Sequence, residues 1–448
     1  MTDLEVLARD AAAWMKSQSS ETHAEVFLSS GEDRSLARRE GARDGVEASE
    51  TRGAGVRVVR DGRAGFAAAG GADLAAIQDL YRRALEQLPH AEPDARRALP
   101  AALPGGEDPA LAATLWDDAL FAAPWTEVEA RLAEAEAAAL AVPKVARVLR
   151  AEYSESRGAA VIAGTNGLFS SERGASASLG LVAAAEDGAE VLLGEGYRAE
   201  RRAAAIDFAA AGREAGLRAG SLIGAKRAKS GKRAVLFEPW VGVEFLELLA
   251  DLLSAEEVQG GRSLLAGKLG RSVASPLVTL RDDPRRPYGI ASSRFDDEGL
   301  PTRDKAMIEG GSLKALFHDA ATAAREGIAP NGCGYRDSYR GLPGPGASNF
   351  FLAPGPLTRD ALLAATPDGL LVSEVLGMHM TDPVSGAFSV GVSGVSVEKG
   401  RLARPFKGAM LSGSLLDLLA RVDAVASDLT FSGSLGAPTF RVSSLDVA

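Results

Sequence analysis

The chain is poor in sulfur nucleophile and in imidazole. One cysteine, Cys333, stands among 448 residues. That excludes an internal disulfide framework and fits a reducing compartment. Four histidines are present, His23, His90, His318 and His379. They are scattered, with no pair spaced for one face of an element, so chelation of a metal by histidines is not expected. No Gly-x-Ser-x-Gly elbow of a serine hydrolase occurs. Positive charge is not in excess, because 50 Lys and Arg face 60 Asp and Glu for a formal net charge of −10. That balance argues against nonspecific binding to DNA or to anionic membranes, which needs clustered cations. No uncharged apolar run approaches the ~20 residues of a membrane-spanning helix. The opening Met1-Thr2-Asp3-Leu4-Glu5 has neither a basic n-region nor an apolar h-region. No signal peptide is therefore expected, and a cytoplasmic location follows as an expectation.

What is there is a globular composition, 46% hydrophobic and 25% charged. The length suits two large domains rather than one core. The 50 glycines predict many turns and bulges in antiparallel sheet. Leu4, Leu7, Ala11, Trp14 and Met15 share a helical face. Strands are expected over residues 24–30, 35–51 and 55–69, the last turning at Asp61-Gly62. Asp73 is a suitable N-cap for a helix carrying Leu74, Ile77, Tyr81, Leu85 and Leu88. A Pro- and Gly-containing connection over 99–109 follows. Helices are expected over 108–121 and 126–141, with Thr126 and Glu129 as a capping box for the second. Strands over 144–163, 168–182 and 190–199 precede a helix near 203–215. Helices and strands in this order predict an α+β domain over residues 1–223.

Residues 224–233, Gly-Ala-Lys-Arg-Ala-Lys-Ser-Gly-Lys-Arg, are basic, small and without apolar period. They read as a solvated hinge. A phosphate loop is excluded, since Gly231-Lys232 is followed by Arg233 rather than Ser or Thr. Residues 234–448 then form a second domain, with one long apolar helix near 238–253 followed by Gly-bounded strands. Gly341-Leu342-Pro343-Gly344-Pro345-Gly346 matches part of a dinucleotide fingerprint. Its prolines deny the helix that must follow, so it reads as a loop. Cys333 is expected to be a buried free thiol, since nothing in the sequence brings His318 or His379 to it.

A series of motifs marks the second half: Arg262-Ser263-Leu264-Leu265-Ala266-Gly267-Lys268-Leu269-Gly270, Phe295-Asp296-Asp297-Glu298-Gly299 and Ile308-Glu309-Gly310-Gly311-Ser312-Leu313. Then come Gly386-Ala387-Phe388-Ser389, Val397-Glu398-Lys399-Gly400-Arg401-Leu402, Gly413-Ser414-Leu415-Leu416-Asp417-Leu418-Leu419 and Gly433-Ser434-Leu435-Gly436-Ala437-Pro438. In this order and spacing the chain resembles the TldD/PmbA family, and within it the TldE (PmbA) branch. The resemblance implies an α+β fold of two domains, the C-terminal one a twisted antiparallel sheet around a long buried helix. It also implies a peptidase complex. Active TldD subunits carry His-Glu-x-x-x-His on that helix and a cysteine near the end of the domain. Two imidazoles on one helix face bind zinc, and the Glu serves as general base. By resemblance the helix here begins near Glu238 and the cysteine position falls near Gly391. This chain offers Glu238, Glu244 and Glu247 instead, and no sulfur at Gly391. Carboxylates alone suit zinc poorly.

The reading that follows is a non-catalytic subunit with no catalytic or metal residues of its own and no bound cofactor. Zinc would reside in a TldD-like paralogue, the two forming a heterodimer around an unfolded peptide. An extended peptide can add to an open sheet edge through its main chain, whatever its sequence. Glu374, His379 and Asp382, in a Gly-rich strand region over 371–397, are the candidate peptide- or partner-binding residues. The alternatives are a stand-alone hydrolase, as a homodimer when isolated, and a protein-interaction modulator of the gyrase-modulator kind. Neither nucleic acid nor membrane is an expected partner.

Overall fold

The computed structural model describes residues 2–94, 99–103 and 105–448. Met1 and Pro104, which belong to the N-terminal segment and the 99–109 connection considered above, lie outside them.

The first 200 residues build one six-stranded antiparallel sheet. Helix α1 (Thr2–Gln18) precedes β1 (His23–Arg39), β2 (Ala42–Arg60) and β3 (Arg63–Gly70). Then come α2 (Leu74–Gln87), the short α3 (Pro109–Thr114) and α4 (Trp125–Leu140). Strands β4 (Val145–Gly164), β5 (Phe169–Asp187) and β6 (Glu190–Glu200) complete the sheet, and α5 (Phe208–Ser221) covers it. The spatial order is β3-β2-β1-β4-β5-β6. The strand expected over 35–51 is two strands. Glu40 (φ 48°) and Gly41 (φ 82°) make a two-residue turn between Arg39 and Ala42. Glutamate at a left-handed position is a weak turn signal, so only Asp61-Gly62 (φ 51° and 71°) was legible.

Two helix pairs lie on one face at opposite ends of these long strands. α1 and α2 bury Leu4, Met15, Ile77 and Tyr81 against Val26, Leu28, Val56 and Val161. α4 and α5 bury Leu132, Phe208 and Ala215 against Leu36, Tyr153 and Leu179. α4 and α5 cross tightly, because a Cβ on Gly212 would stand 2.0 Å from the Ala135 carbonyl oxygen. Asp73 caps α2 through Ala76 N–H at 2.7 Å, as its position predicts. The capping box on α4 does not form. Pro124 holds the N-cap position, and Glu129 accepts from Arg38 and Arg43 on the neighbouring hairpin. Helix α3 stops at Thr114, short of the 121 expected. α5 starts five residues later than the sequence suggests, where Asp207 accepts from Ala210 N–H at 2.8 Å.

The remaining chain is a two-sheet structure around a central helix. Strand β7 (Gly231–Phe237) leads directly into α6 (Pro239–Leu252), followed by α7 (Ala255–Gln259). Strands β8 (Leu280–Asp282), β9 (Lys305–Glu309) and β10 (Ser312–Leu313) precede α8 (Ala320–Glu326). Short strands β11 (Gly334–Tyr335), β12 (Gly344–Pro345) and β13 (Phe350–Leu352) lead to α9 (Arg359–Ala364). The end is β14 (Asp368–Leu376), β15 (Ala387–Glu398), β16 (Arg401–Ser414), α10 (Leu415–Ala420), β17 (Val422–Val425), β18 (Thr430–Ser432), β19 (Leu435–Ala437) and β20 (Phe440–Val447).

One sheet has the order β16-β15-β14-β7-β20-β17, curled so that β16 also meets β20; the other is β10-β9-β8-β13-β19-β18. Pairing is antiparallel except β7 with β14 and β13 with β19. Between the sheets α6 buries Val241, Phe245, Leu246, Leu249 and Leu252 against Phe237, Phe388 and Phe440. The hinge expected at 224–233 is shorter than its composition implies. Gly231, Lys232 and Arg233 pair with β20, and Lys226 exchanges backbone hydrogen bonds with β16. Lys232 stays exposed at the strand end and Arg233 pairs with Asp368, so basic composition did not prevent pairing.

Buried charge ties the two halves together. Glu25 on β1 accepts from Arg57 on β2 at 2.9 Å and from Arg336 at 2.6 Å. Glu298 lies 3.5 Å from Arg57. Arg201 donates to the carbonyls of Gly289, Ile290 and Ser292. The Tyr339 ring fills the space over Gly53, where a Cβ would stand 2.3 Å from it.

Candidate functional site

The site is built on the solvent side of α6. At ~3.6 residues per turn, Glu244, Glu247 and Asp251 fall on one side of this helix, while the opposite stripe enters the core. Glu374 joins them from β14. A bulge between Val372 and Glu374 breaks the strict alternation of that strand and brings its carboxylate within electrostatic reach of Glu244. Partial burial first, then repulsion from Glu247 and Glu374, pushes the Glu244 carboxyl up to about 7. Asp251 is raised by burial and by Glu247 and Glu257. No cation pairs with Glu244, Glu247, Asp251 or Glu374 among the described residues. Glu238 is not part of this face. It stands at the N-cap of α6 and takes an ion pair from Arg359 at 2.7 Å.

His379 and Asp382 lie in the connection between β14 and β15. Gly377 (φ 91°) opens a single 3-10 turn over Met378–Met380. His379 is exposed there and makes no hydrogen bond or ion pair among the described residues. Asp382 has a structural task. It accepts from Ser385 Oγ at 2.6 Å and Val384 N–H at 2.9 Å, closing the turn into β15. Those two bonds, Ser385 first, hold its carboxyl below the usual range. Of the three residues singled out in the sequence, then, Glu374 meets the helix carboxylates, His379 is free, and Asp382 is engaged within its own loop. Around them Leu376, Met380 and Val384 are strongly exposed. The sequence reading missed Asp251, although its spacing of four from Glu247 places it one turn further along the same face.

The donor set does not fit zinc. Among the described residues no three His, Cys, Asp or Glu side chains converge to hold a metal ion. Gly391 is not without sulfur in space, since Met410 lies opposite it across the β15–β16 ladder. A thioether, however, is a soft ligand suited to Cu(I) rather than a partner for hard carboxylates on zinc. Cys333 is buried, and burial raises its thiol to about 12 against the opposing pull of Lys305. Such a thiol is no nucleophile at neutral pH. His318, expected to be scattered from other chemistry, pairs loosely with Glu326 at 3.8 Å, and burial favours its neutral form.

A second acidic group emerges from Phe295-Asp296-Asp297-Glu298-Gly299. Asp296 accepts backbone N–H bonds from Glu298, Leu300 and Gly334. Glu298 accepts from Ala320 N–H at 2.6 Å. Both carboxyls are fully enclosed, and burial is the leading reason why Asp296 rises to about 8 and Glu298 to about 7.

This architecture is that of a known class of peptidase-related proteins. Three family models match: PmbA/TldA metallopeptidase domain 1 over residues 24–88, the central domain over 123–223, and the C-terminal domain over 230–448. The chain belongs to the PmbA/TldD metallopeptidase family. A metalloprotease TldD homolog of Haemophilus influenzae is 33% identical over 193 residues, covering 43% of this chain and 40% of that protein. A metalloprotease of Methanothermobacter thermautotrophicus is 32% identical over 224 residues, 50% of this chain and 49% of that one. The matched region thus spans half or less of these curated relatives. Among solved structures, a candidate modulator of a DNA gyrase from Thermotoga maritima superposes with a TM-score of 0.90 at 28% identity, covering 99% of this chain and all of that one. TldE from Thermococcus kodakarensis shares the fold, with a TM-score of 0.88 at 21% identity and 99% coverage of both chains. No helix among the described residues is long and apolar enough to cross a membrane.

Proposed function

We propose that this chain is a non-catalytic, TldE/PmbA-like subunit of a heteromeric zinc metallopeptidase. A TldD-like paralogue supplies zinc, and this chain shapes the channel that holds an unfolded peptide. The observation that carries the reading is α6. The helix to which the family resemblance assigns two zinc-binding imidazoles presents Glu244, Glu247 and Asp251 and no histidine. Without zinc ligands on this helix the chain would lack both the Lewis acid and the activated water of this chemistry, and no nucleophile–base pair replaces them among the described residues. The exposed Leu376, Met380 and Val384 beside the acidic face support a contact surface there.

The test is hydrolysis of an unstructured peptide by this chain alone, by a histidine-bearing TldD-like paralogue alone, and by the two mixed. Turnover is expected to need the paralogue and to stop on chelation. Chelator-resistant turnover by the isolated chain would establish the stand-alone hydrolase instead. The Thermotoga neighbour described as a candidate gyrase modulator favours a second reading, an interaction protein. That reading predicts an effect on gyrase supercoiling without peptide hydrolysis in any mixture.

A further inference from the structure

A cleft of about 730 Å3 opens where α5 meets the C-terminal half. It uses only the first turn of α6, up to Val243, and takes in none of Glu244, Glu247, Asp251 or Glu374. Its volume lies within the range of small-ligand pockets, about 300–1,000 Å3. One wall is a single face of α5, carrying Arg213, Glu214, Leu217 and Arg218 at helical spacing. The facing wall comes from Trp240 and from the outer side of β14, β15 and β16.

Two properties of this cleft need an occupant. The first is apolar surface in the open: Leu217 is 58% exposed and Leu402 46%, both lining the cleft. The second is surplus positive charge. Arg198 and Arg218 share one carboxylate, Glu214, and Arg359 has Glu238. Asp428 is committed to Thr439. Arg213 has no ion pair among the described residues. The Arg218 guanidinium lies 4.3 Å from the centre of the Trp240 ring, so the cation is held against an aromatic wall rather than projecting into water. An occupant must therefore bring an anion and an apolar group a few ångströms apart. Ser373 and Ser432 also line the cleft, and hydroxyls suit amide groups where an acyl chain has none to offer.

We propose that this cleft binds the free carboxyl terminus of a short peptide with an apolar last residue. Arg213 takes the carboxylate, and Leu217, Trp240 and Leu402 take the side chain. The inference does not depend on the subunit role argued above, because it concerns binding and needs neither zinc nor a paralogue.

Calorimetric titration of the full chain decides it, using N-acetyl-Ala-Ala-Leu as free acid and as C-terminal amide, with decanoate as a third probe. The acid is expected to bind about tenfold more tightly than the amide, the scale of one charge-assisted contact. Arg213→Gln should abolish that difference. Leu217→Glu should abolish binding of both peptides. Both positions are exposed on α5, so circular dichroism should show the fold unchanged. Equal binding of acid and amide, or no saturable binding at millimolar peptide, overturns the proposal. Decanoate binding more tightly than the acid peptide overturns the peptide assignment, since it makes the cleft a site for fatty carboxylates.

Discussion

Replacing Glu25 by Gln should be among the most destabilising single changes available in this chain. Glu25 is 1% exposed and holds Arg57 and Arg336, whose side chains are 11% and 1% exposed. Burial alone would raise its carboxyl, but Arg57 and Arg336 outweigh that and lower it. A neutral amide leaves two enclosed guanidiniums short of one counter-charge. Arg57 then retains only Glu298 at 3.5 Å. Removing one partner of a buried pair costs about 3–5 kcal/mol, a large part of the roughly 5–15 kcal/mol that holds a domain folded. Because Glu25 and Arg57 stand on the N-terminal sheet and Arg336 in the second half, the same change should loosen the junction. Urea denaturation of wild type and Glu25→Gln at pH 7 measures it. Asp44→Asn is the control, since it removes an exposed pair with Arg39 and should cost under about 1 kcal/mol. The depressed carboxyl sets the pH dependence. Its stabilisation is present above the ordinary glutamate value of 4.5 and is lost as pH falls, so the gap between wild type and variant should narrow in acid. A Glu25→Gln protein within about 1 kcal/mol of wild type at pH 7 would refute the view that this network holds the halves together.

Glu298→Gln should act in the opposite sense with pH. The folded chain raises this carboxyl to about 7, so its contribution is complete below 4.5 and is lost as pH rises through 7. Measured by urea denaturation, the variant should therefore gain on wild type between pH 4.5 and 7.5, by roughly 3 kcal/mol at most; a gap independent of pH contradicts it. Protein purified without a metal-affinity tag should contain far less than one zinc per chain by elemental analysis, and stoichiometric zinc lost on Glu244→Gln would contradict the reading of α6. Trypsin should cut first within 224–230, where Lys226, Arg227 and Lys229 are exposed; a first cut elsewhere would show that the backbone bonds of Lys226 to β16 protect the segment. His379→Ala should lower peptide hydrolysis by a reconstituted pair without changing its assembly, and unchanged kinetics would remove His379 from the channel.

The fold was legible where one local rule decided the outcome. Asp73 before an apolar helical period gave the start of α2, and Asp61-Gly62 gave the β2–β3 turn. It was hidden where two rules competed. Glu40-Gly41 turns because the strands on either side, 17 and 19 residues long, pair along the length of the first, a long-range cause absent from the dipeptide itself. The capping box at Thr126 and Glu129 failed because Arg38 and Arg43, distant in sequence, recruit Glu129. The basic run over 224–233 was read by composition, yet β20 offers its last residues a partner. Glu374 was chosen for its position in a Gly-rich region. What places it beside Glu244 is a bulge, which no periodicity announces.

The carboxylates of this chain divide by whether the protein supplies them with donors. Asp296 accepts three backbone N–H groups, Glu298 one backbone N–H beside the Arg57 guanidinium, and Glu25 two guanidiniums. These acids, including the Phe295-Asp296-Asp297-Glu298-Gly299 signature, are explained by the junction they hold, and enclosure without such donors would be prohibitive. Asp382 is likewise explained by the turn it closes. Glu244, Glu247, Asp251 and Glu374 receive no cation and no side-chain hydrogen bond among the described residues, and partial burial, then repulsion from Glu247 and Glu374, raises Glu244 to about 7. Half-exposure lets water tolerate them, but nothing in the fold is gained by the arrangement. A like-charge face that contributes nothing to its own fold, set beside exposed Leu376, Met380 and Val384, has its physical rationale in what it meets. That is why the subunit reading is anchored on α6 rather than on the more deeply buried, and more strongly perturbed, acids at the junction.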